Sequence, residues 1–148
     1  MEYMFYNCTK LISLNLPNFN TSRIITMFYI FACYNSLSLL DLSNFDTSSV
    51  ISMSGMFYIC SSLTSLNLSN FNTSSVTFMN NMFGYCSSLI YLDLSNFNTS
   101  NVEYIGYIFT NYINLEYINL SNFDESKLTN NIYDYKDIFA KVPENVVI

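Results

Sequence analysis

The feature that most constrains this chain is a repeat. The string Leu-Ser-Asn-Phe closes at Phe45, Phe71, Phe97 and Phe123, and Leu-Pro-Asn-Phe closes at Phe19; the five phenylalanines stand 26 residues apart without insertion or deletion. A fixed period of this length is the signature of stacked supersecondary units, each too small to enclose its own apolar face without a neighbour. Biased composition alone does not hold register over such a distance.

The unit from Leu63 to Ser88 serves as the type. Leu63, Leu66 and Leu68 form an L-x-x-L-x-L frame, and the alternation around Leu66-Asn67-Leu68 has the period of a half-buried strand. Asn72-Thr73-Ser74 follow, residues that form turns and cap helices. Val76, Met79, Met82, Phe83 and Cys86 then fall at offsets 0, 3, 6, 7 and 10, a stripe that predicts a helix of about three turns. Strands are predicted at Leu14–Leu16, Leu40–Leu42, Leu66–Leu68, Leu92–Leu94 and Ile118–Leu120.

The expected fold class is therefore α/β: a right-handed leucine-rich-repeat solenoid, with parallel strands on the concave side and short helices on the convex side. The handedness follows from the rule for strand–helix–strand crossovers. The curvature follows from helices packing at ~10 Å against ~4.8 Å for strands. Residues 1–126 are read as the array, five repeats with the first entered part-way. Residues 127–148 are read as a partial capping segment or junction, because Phe139 falls four residues behind the register and Pro143 ends any helix.

The net charge is −6, and no Lys or Arg occurs between Ile24 and Ser126. Without a basic stripe, nucleic acid is not an expected partner. No apolar run approaches the ~18 residues that span a bilayer, so direct membrane insertion is not expected in this segment. No signal peptide is visible, since Glu2 follows Met1 directly. The sequence has no His, so the usual base for a Ser or Cys nucleophile is missing. Gly55, Gly84 and Gly106 all lie inside predicted helices, which leaves no phosphate-binding loop. The chain is accordingly expected not to be an enzyme and to need no cofactor or metal.

Met53, Met56, Phe57, Cys60, Ser61, Ser62 and Leu63, followed by Leu66, Leu68, Ser69, Asn70, Phe71, Thr73 and Ser74, spell M-x-x-M-F-x-x-C-S-S-L-x-x-L-x-L-S-N-F-[ND]-T-S. This motif resembles the BspA-like leucine-rich-repeat surface proteins of bacteria and anaerobic protists, over roughly residues 4–126. Tyr34 and Tyr112 in the Cys position, Pro17 in the Ser position and Glu125 in the Thr position depart from it. The resemblance implies a cell-surface or extracellular protein that binds other proteins in adhesion or recognition. A spacer array without its own ligand and an intracellular scaffold are the alternatives.

Four groups of side chains bear on a site. Cys60 and Cys86 share a repeat position one unit apart and read either as a disulfide or as buried small hydrophobes. Asn18, Asn44, Asn70, Asn96 and Asn122 read as a ladder that satisfies backbone groups at each corner. Asn7, Asn20, Asn67, Asn72, Asn98 and Asn119 fit N-x-S/T, a pattern the repeat itself generates. On the strand face most outward residues are small and polar, but Tyr91 and Tyr117 are not. With Asp93, Glu116 and Asn119 they form the candidate ligand-binding patch for a protein partner. The N-terminal unit, without a polar cap, is the expected place for self-association.

Overall fold

The computed structural model describes residues 1–124, 126, 137–143 and 147. Four strands are formed: β1 (Ser13–Leu14), β2 (Leu39–Leu40), β3 (Tyr91–Asp93) and β4 (Tyr117–Asn119). They make two separate parallel sheets, β1 with β2 and β3 with β4. Partners are Ser13 with Leu39 and Tyr91 with Tyr117, each offset by one 26-residue unit.

The helices are absent, and this corrects the expected fold class. Among the described residues no helix occurs, so the chain is not the α/β right-handed solenoid, with helices on one side and a continuous strand ladder on the other. The handedness argument needed a helical crossover and falls with it. The reason is visible in the hydrogen bonds of the segment from Val76 to Cys86. Alternate amides leave the unit altogether: Met79 N–H donates to the Tyr104 carbonyl (2.8 Å), Asn81 to Gly106 (2.9 Å), Phe83 to Ile108 (3.2 Å) and Tyr85 to Thr110 (2.8 Å). A helix would need those donors for its own i−4 carbonyls. The amides that stay inside the unit close three-residue turns instead: Val76 to Thr73 (2.9 Å), Met82 to Met79 (3.1 Å) and Cys86 to Phe83 (3.2 Å).

A chain of three-residue turns brings every third side chain inward, which imitates a helical stripe. The stripe residues Val76, Met79, Met82, Phe83 and Cys86 are indeed all buried. Two residues per unit turn the backbone through the left-handed region, Asn81 (φ 56°) and Tyr85 (φ 63°), with Tyr29 and Cys33, Gly55 and Ile59, and Tyr107 and Asn111 in the same places. Of these only Gly55 adopts such a φ without steric cost.

The core has a column of phenylalanines. Phe5, Phe31, Phe57, Phe83, Phe109 and Phe139 stack face to face with centroid separations of 5.8, 6.0, 5.7, 6.1 and 5.4 Å. The repeat phenylalanines Phe19, Phe45, Phe97 and Phe123 lean on this column at angles of 52°, 45°, 41° and 39°.

Of the expected capping segment, 127–136, 144–146 and 148 lie outside the described residues. Residues 137–142 lie against the fifth unit: Phe109 N–H donates to the Ile138 carbonyl (3.1 Å) and Asn111 N–H to Ala140 (2.8 Å). Lys141 takes the left-handed conformation of Asn111.

Candidate functional site

Thr21, Thr47, Thr73 and Thr99 are buried polar residues that clip one unit to the next. Thr73 Oγ1 donates to the Asn98 carbonyl (3.0 Å) and accepts the Asn98 N–H (2.9 Å), and the other three repeat the pair. In the asparagine ladder, Asn44, Asn70, Asn96 and Asn122 each donate to carbonyls of the preceding unit. Asn70 Nδ2 donates to the carbonyls of Leu42 (3.0 Å) and Phe45 (2.9 Å), and Asn96 to those of Leu68 (2.9 Å) and Phe71 (3.0 Å). These bonds tie each unit to the next at the corner that follows the strand face.

On that face Tyr91 and Tyr117 stack at 4.9 Å with their planes 7° apart. Tyr91 is 54% exposed and Tyr117 is half-buried. Two rungs along, Asp93 pairs with Asn119 in the same parallel register. Asp93 Oδ1 accepts the Ser95 N–H (2.9 Å), and Asn119 Oδ1 accepts the Ser121 N–H (3.1 Å). The first of these bonds holds the Asp93 carboxyl below the usual carboxylate range. Partial burial and the nearby Asp93 charge push the Tyr91 phenol up. Glu116 is exposed; its N–H donates to the Ile90 carbonyl (2.9 Å) and its carbonyl accepts from Val147 (3.1 Å). Tyr91, Asp93, Tyr117 and Asn119 thus share one face in register, with Asn119 occupied with a local turn, while Glu116 stands just before β4.

Other features were not visible in the strand pattern. A second stacked pair, Phe78 and Tyr104 at 5.0 Å and 10°, lies over the parallel bridges that join Thr26, Ser52, Phe78 and Tyr104. It borders a shallow apolar depression of about 590 Å³ walled by Ile25, Phe28, Tyr29 and Ile51. A row of rings, Tyr3, Tyr29, Tyr58 and Tyr85, continues over the turns at 5.7, 5.6 and 5.6 Å. The signal was present, since Phe78 and Tyr104 share a repeat position, but a presumed helix put them on an undistinguished outer surface.

The cysteines are free thiols. Cys60 Sγ donates to the Phe31 carbonyl and Cys86 Sγ to the Phe57 carbonyl, both at 3.1 Å. Burial raises both thiols, Cys86 to about 12. Tyr34 and Tyr112, which replace Cys in their units, are wholly buried, with their hydroxyls beside the Cys8 and Cys86 thiols. Among the described residues no cluster of three metal-ligating side chains occurs.

A protein-family profile described as "Mycoplasma protein of unknown function, DUF285" matches residues 1–115 and again 63–143. No curated protein matches the chain. Among solved structures, the chain is similar to a leucine-rich repeat protein from Bacteroides ovatus, at 20% identity and a TM-score of 0.34 over 93% of its length. It spans 43% of that protein.

Proposed function

The chain belongs to the DUF285 family of Mycoplasma proteins of unknown function, and on that premise we propose that it is a protein-binding repeat module, part of a cell-surface or secreted protein that works in adhesion or recognition. The observation that carries the reading is the Tyr91–Tyr117 stack on the strand face. Two large side chains, one of them 54% exposed, are held parallel by a rigid register. Tyrosines fixed in this way lose little entropy when a partner covers them, which is why they dominate binding energy at protein interfaces. The surface location rests on the resemblance of the M-x-x-M-F-x-x-C-S-S-L motif to BspA-like leucine-rich-repeat proteins. The reading is of binding without catalysis, supported by a sequence that contains no His. It extends to association of copies through the N-terminal unit, where Met4 and Leu11 are exposed.

The test compares the chain with its Tyr91→Ser/Tyr117→Ser variant in binding to proteins recovered from the organism's surroundings and from its own surface. A partner held by the first and lost by the second supports the proposal. Unchanged binding throughout would favour a spacer array instead.

A further inference from the structure

We infer that the depression between Tyr58 and Lys141, over the turns of the later units, is a binding site for a hexuronic acid residue of a glycan. None of its lining residues belongs to the strand face, so the site goes beyond the protein-binding reading given to Tyr91 and Tyr117.

The depression follows one repeat position where a large side chain gives way to small ones. Tyr58, Gly84, Thr110 and Ala140 succeed one another there, the last step being 30 residues and the others 26. One inter-unit bond places all three small residues: the carbonyls of Gly84, Thr110 and Ala140 accept the N–H groups of Ile59, Tyr85 and Asn111, each at 2.8 Å. The Tyr58 ring lies over Gly84, where a Cβ would stand 3.2 Å from its Cδ2 atom. Tyr58 also meets the Tyr85 ring edge to face at 5.6 Å, which fixes both rings at that end. Past them, beside Thr110 and Ala140, a cavity of about 430 Å³ opens. Tyr85 and Lys141 wall it with matching left-handed backbones (φ 63° and 61°), and Asn81 and Tyr107 wall it from a second repeat position (φ 56° and 60°). Tyr85 is 39% exposed and Tyr107 is 44% exposed.

Three properties of this lining select its occupant. The volume falls within the ~300–1,000 Å³ of small-molecule sites, and the tyrosine rings are partly bare. A π face attracts the C–H groups on the flat side of a pyranose. The polar groups are spread around the cavity, as a ring of hydroxyls requires. They are the phenols, the Asn81 carboxamide and the Thr110 hydroxyl, which donates to the Asp137 carbonyl (2.9 Å) and can still accept. An aryl or acyl group would bury these without partners. The third property is charge. Lys141 is the one Lys or Arg among the described residues after Arg23. Among the described residues no hydrogen bond, ion pair or ring contact holds its side chain, and no Asp or Glu lines the cavity. One ammonium is a point charge that balances one carboxylate, whereas a phosphate dianion would stay half-neutralised. A sugar with a single carboxylate meets all three conditions.

The probe is methyl β-glucuronide, titrated into the full chain while amide and ring NMR shifts are followed, with methyl β-glucoside, acetate and inorganic phosphate as controls. Saturable shifts are expected at residues 81–85, 107–111 and 140–142, with the glucoside about tenfold weaker and neither acetate nor phosphate saturating. Lys141→Met removes the charge from an exposed side chain and is expected to bring the glucuronide down to the level of the glucoside. Tyr85→Ala should weaken both sugars by similar factors. Should that variant fold poorly, Lys141→Met carries the test alone. An oligosaccharide of alternating glucuronic acid and N-acetylglucosamine separates the two sources of the residue. Binding as tight as that of the methyl glycoside supports a glycan, and exclusion of the chain would leave free uronates and overturn that assignment. Equal binding of glucuronide and glucoside, a response untouched by Lys141→Met, saturation of the same residues by phosphate, or no saturable shift with the glucuronide would each overturn the site.

Discussion

The ring of Tyr29 lies directly over Gly55, so close that a Cβ built there would stand 2.5 Å from two of its ring atoms. Gly55 also has φ +62°, where an L side chain is strained. Both effects oppose Gly55→Ala, and the ring has little freedom to retreat because Tyr3 and Tyr58 lie against it at 5.7 and 5.6 Å. The substitution is expected to destabilise the chain by about 1–3 kcal/mol, read from the denaturant midpoint. Adding Tyr29→Ala should recover the steric part but not the backbone part, giving a double variant less damaged than the sum. Strict additivity would mean that the ring does not rest on Gly55.

The phenylalanine column makes a different ranking from the repeat motif. Phe71 belongs to the motif and is buried, but the rings stacked on both faces are those of Phe31, Phe57, Phe83 and Phe109. Phe83→Ala removes a ring packed on both faces by rings at 5.7 and 6.1 Å, where neighbours cannot collapse inward. Its expected cost is about 3–5 kcal/mol, larger than that of Phe71→Ala. Thermal unfolding of the two variants side by side settles the order, and a lower midpoint for Phe71→Ala would reverse it.

Much of this was legible in the sequence, and the failure has one cause. The residues that face inward, Val76, Met79, Met82, Phe83 and Cys86 among them, were read correctly from spacing alone. So were the parallel offset of 26 residues and the Tyr91–Tyr117 pair. The backbone was not, because side-chain spacing reports which residues are covered and not where the amides donate. Steps of three are common to a helix face and to a run of three-residue turns. What separates them is the inter-unit bond from Met79 to Tyr104 and its fellows, a non-local choice that no local pattern encodes. The left-handed positions gave little warning, since Tyr29, Cys33 and Ile59 are residues seldom found there.

The threonine clips are expected to be worth more than their size suggests. In Thr73→Val the shape is kept, but the Asn98 amide and carbonyl both lose their partner on the buried Thr73 side of a part-buried corner. An unsatisfied buried group costs about 1–3 kcal/mol, so the midpoint should fall substantially. Thr73→Ser keeps the hydroxyl and loses one methyl, and should fall by less. If Thr73→Val proved the milder of the two, the methyl and not the hydroxyl would be what the site requires.

The buried thiols should govern behaviour in alkali. Cys86 is fully covered, and burial, opposed in part by hydrogen bonding, pushes its thiol up to about 12 from an ordinary 9.0. The Cys60 thiol moves in the same direction for the same reason, and so does the Tyr112 hydroxyl beside Cys86. For each group the folded value exceeds the unfolded one, so the protonated form is what the folded state favours. Its contribution to stability is complete below the unfolded value and is lost as pH rises through the folded one, a window from about 9 to 12 for Cys86. Denaturant midpoints are therefore expected to fall across that window, and less steeply in a Cys60→Ala/Cys86→Ala variant. Reactivity follows the same physics, since only a thiolate attacks. At pH 8 iodoacetamide should modify the partly exposed Cys8 and Cys33 in the native chain and leave Cys60 and Cys86 untouched until denaturant is added. Peptide mass mapping reads all four sites at once, and labelling of Cys86 at the rate of Cys33 would show that its burial is not what holds the proton.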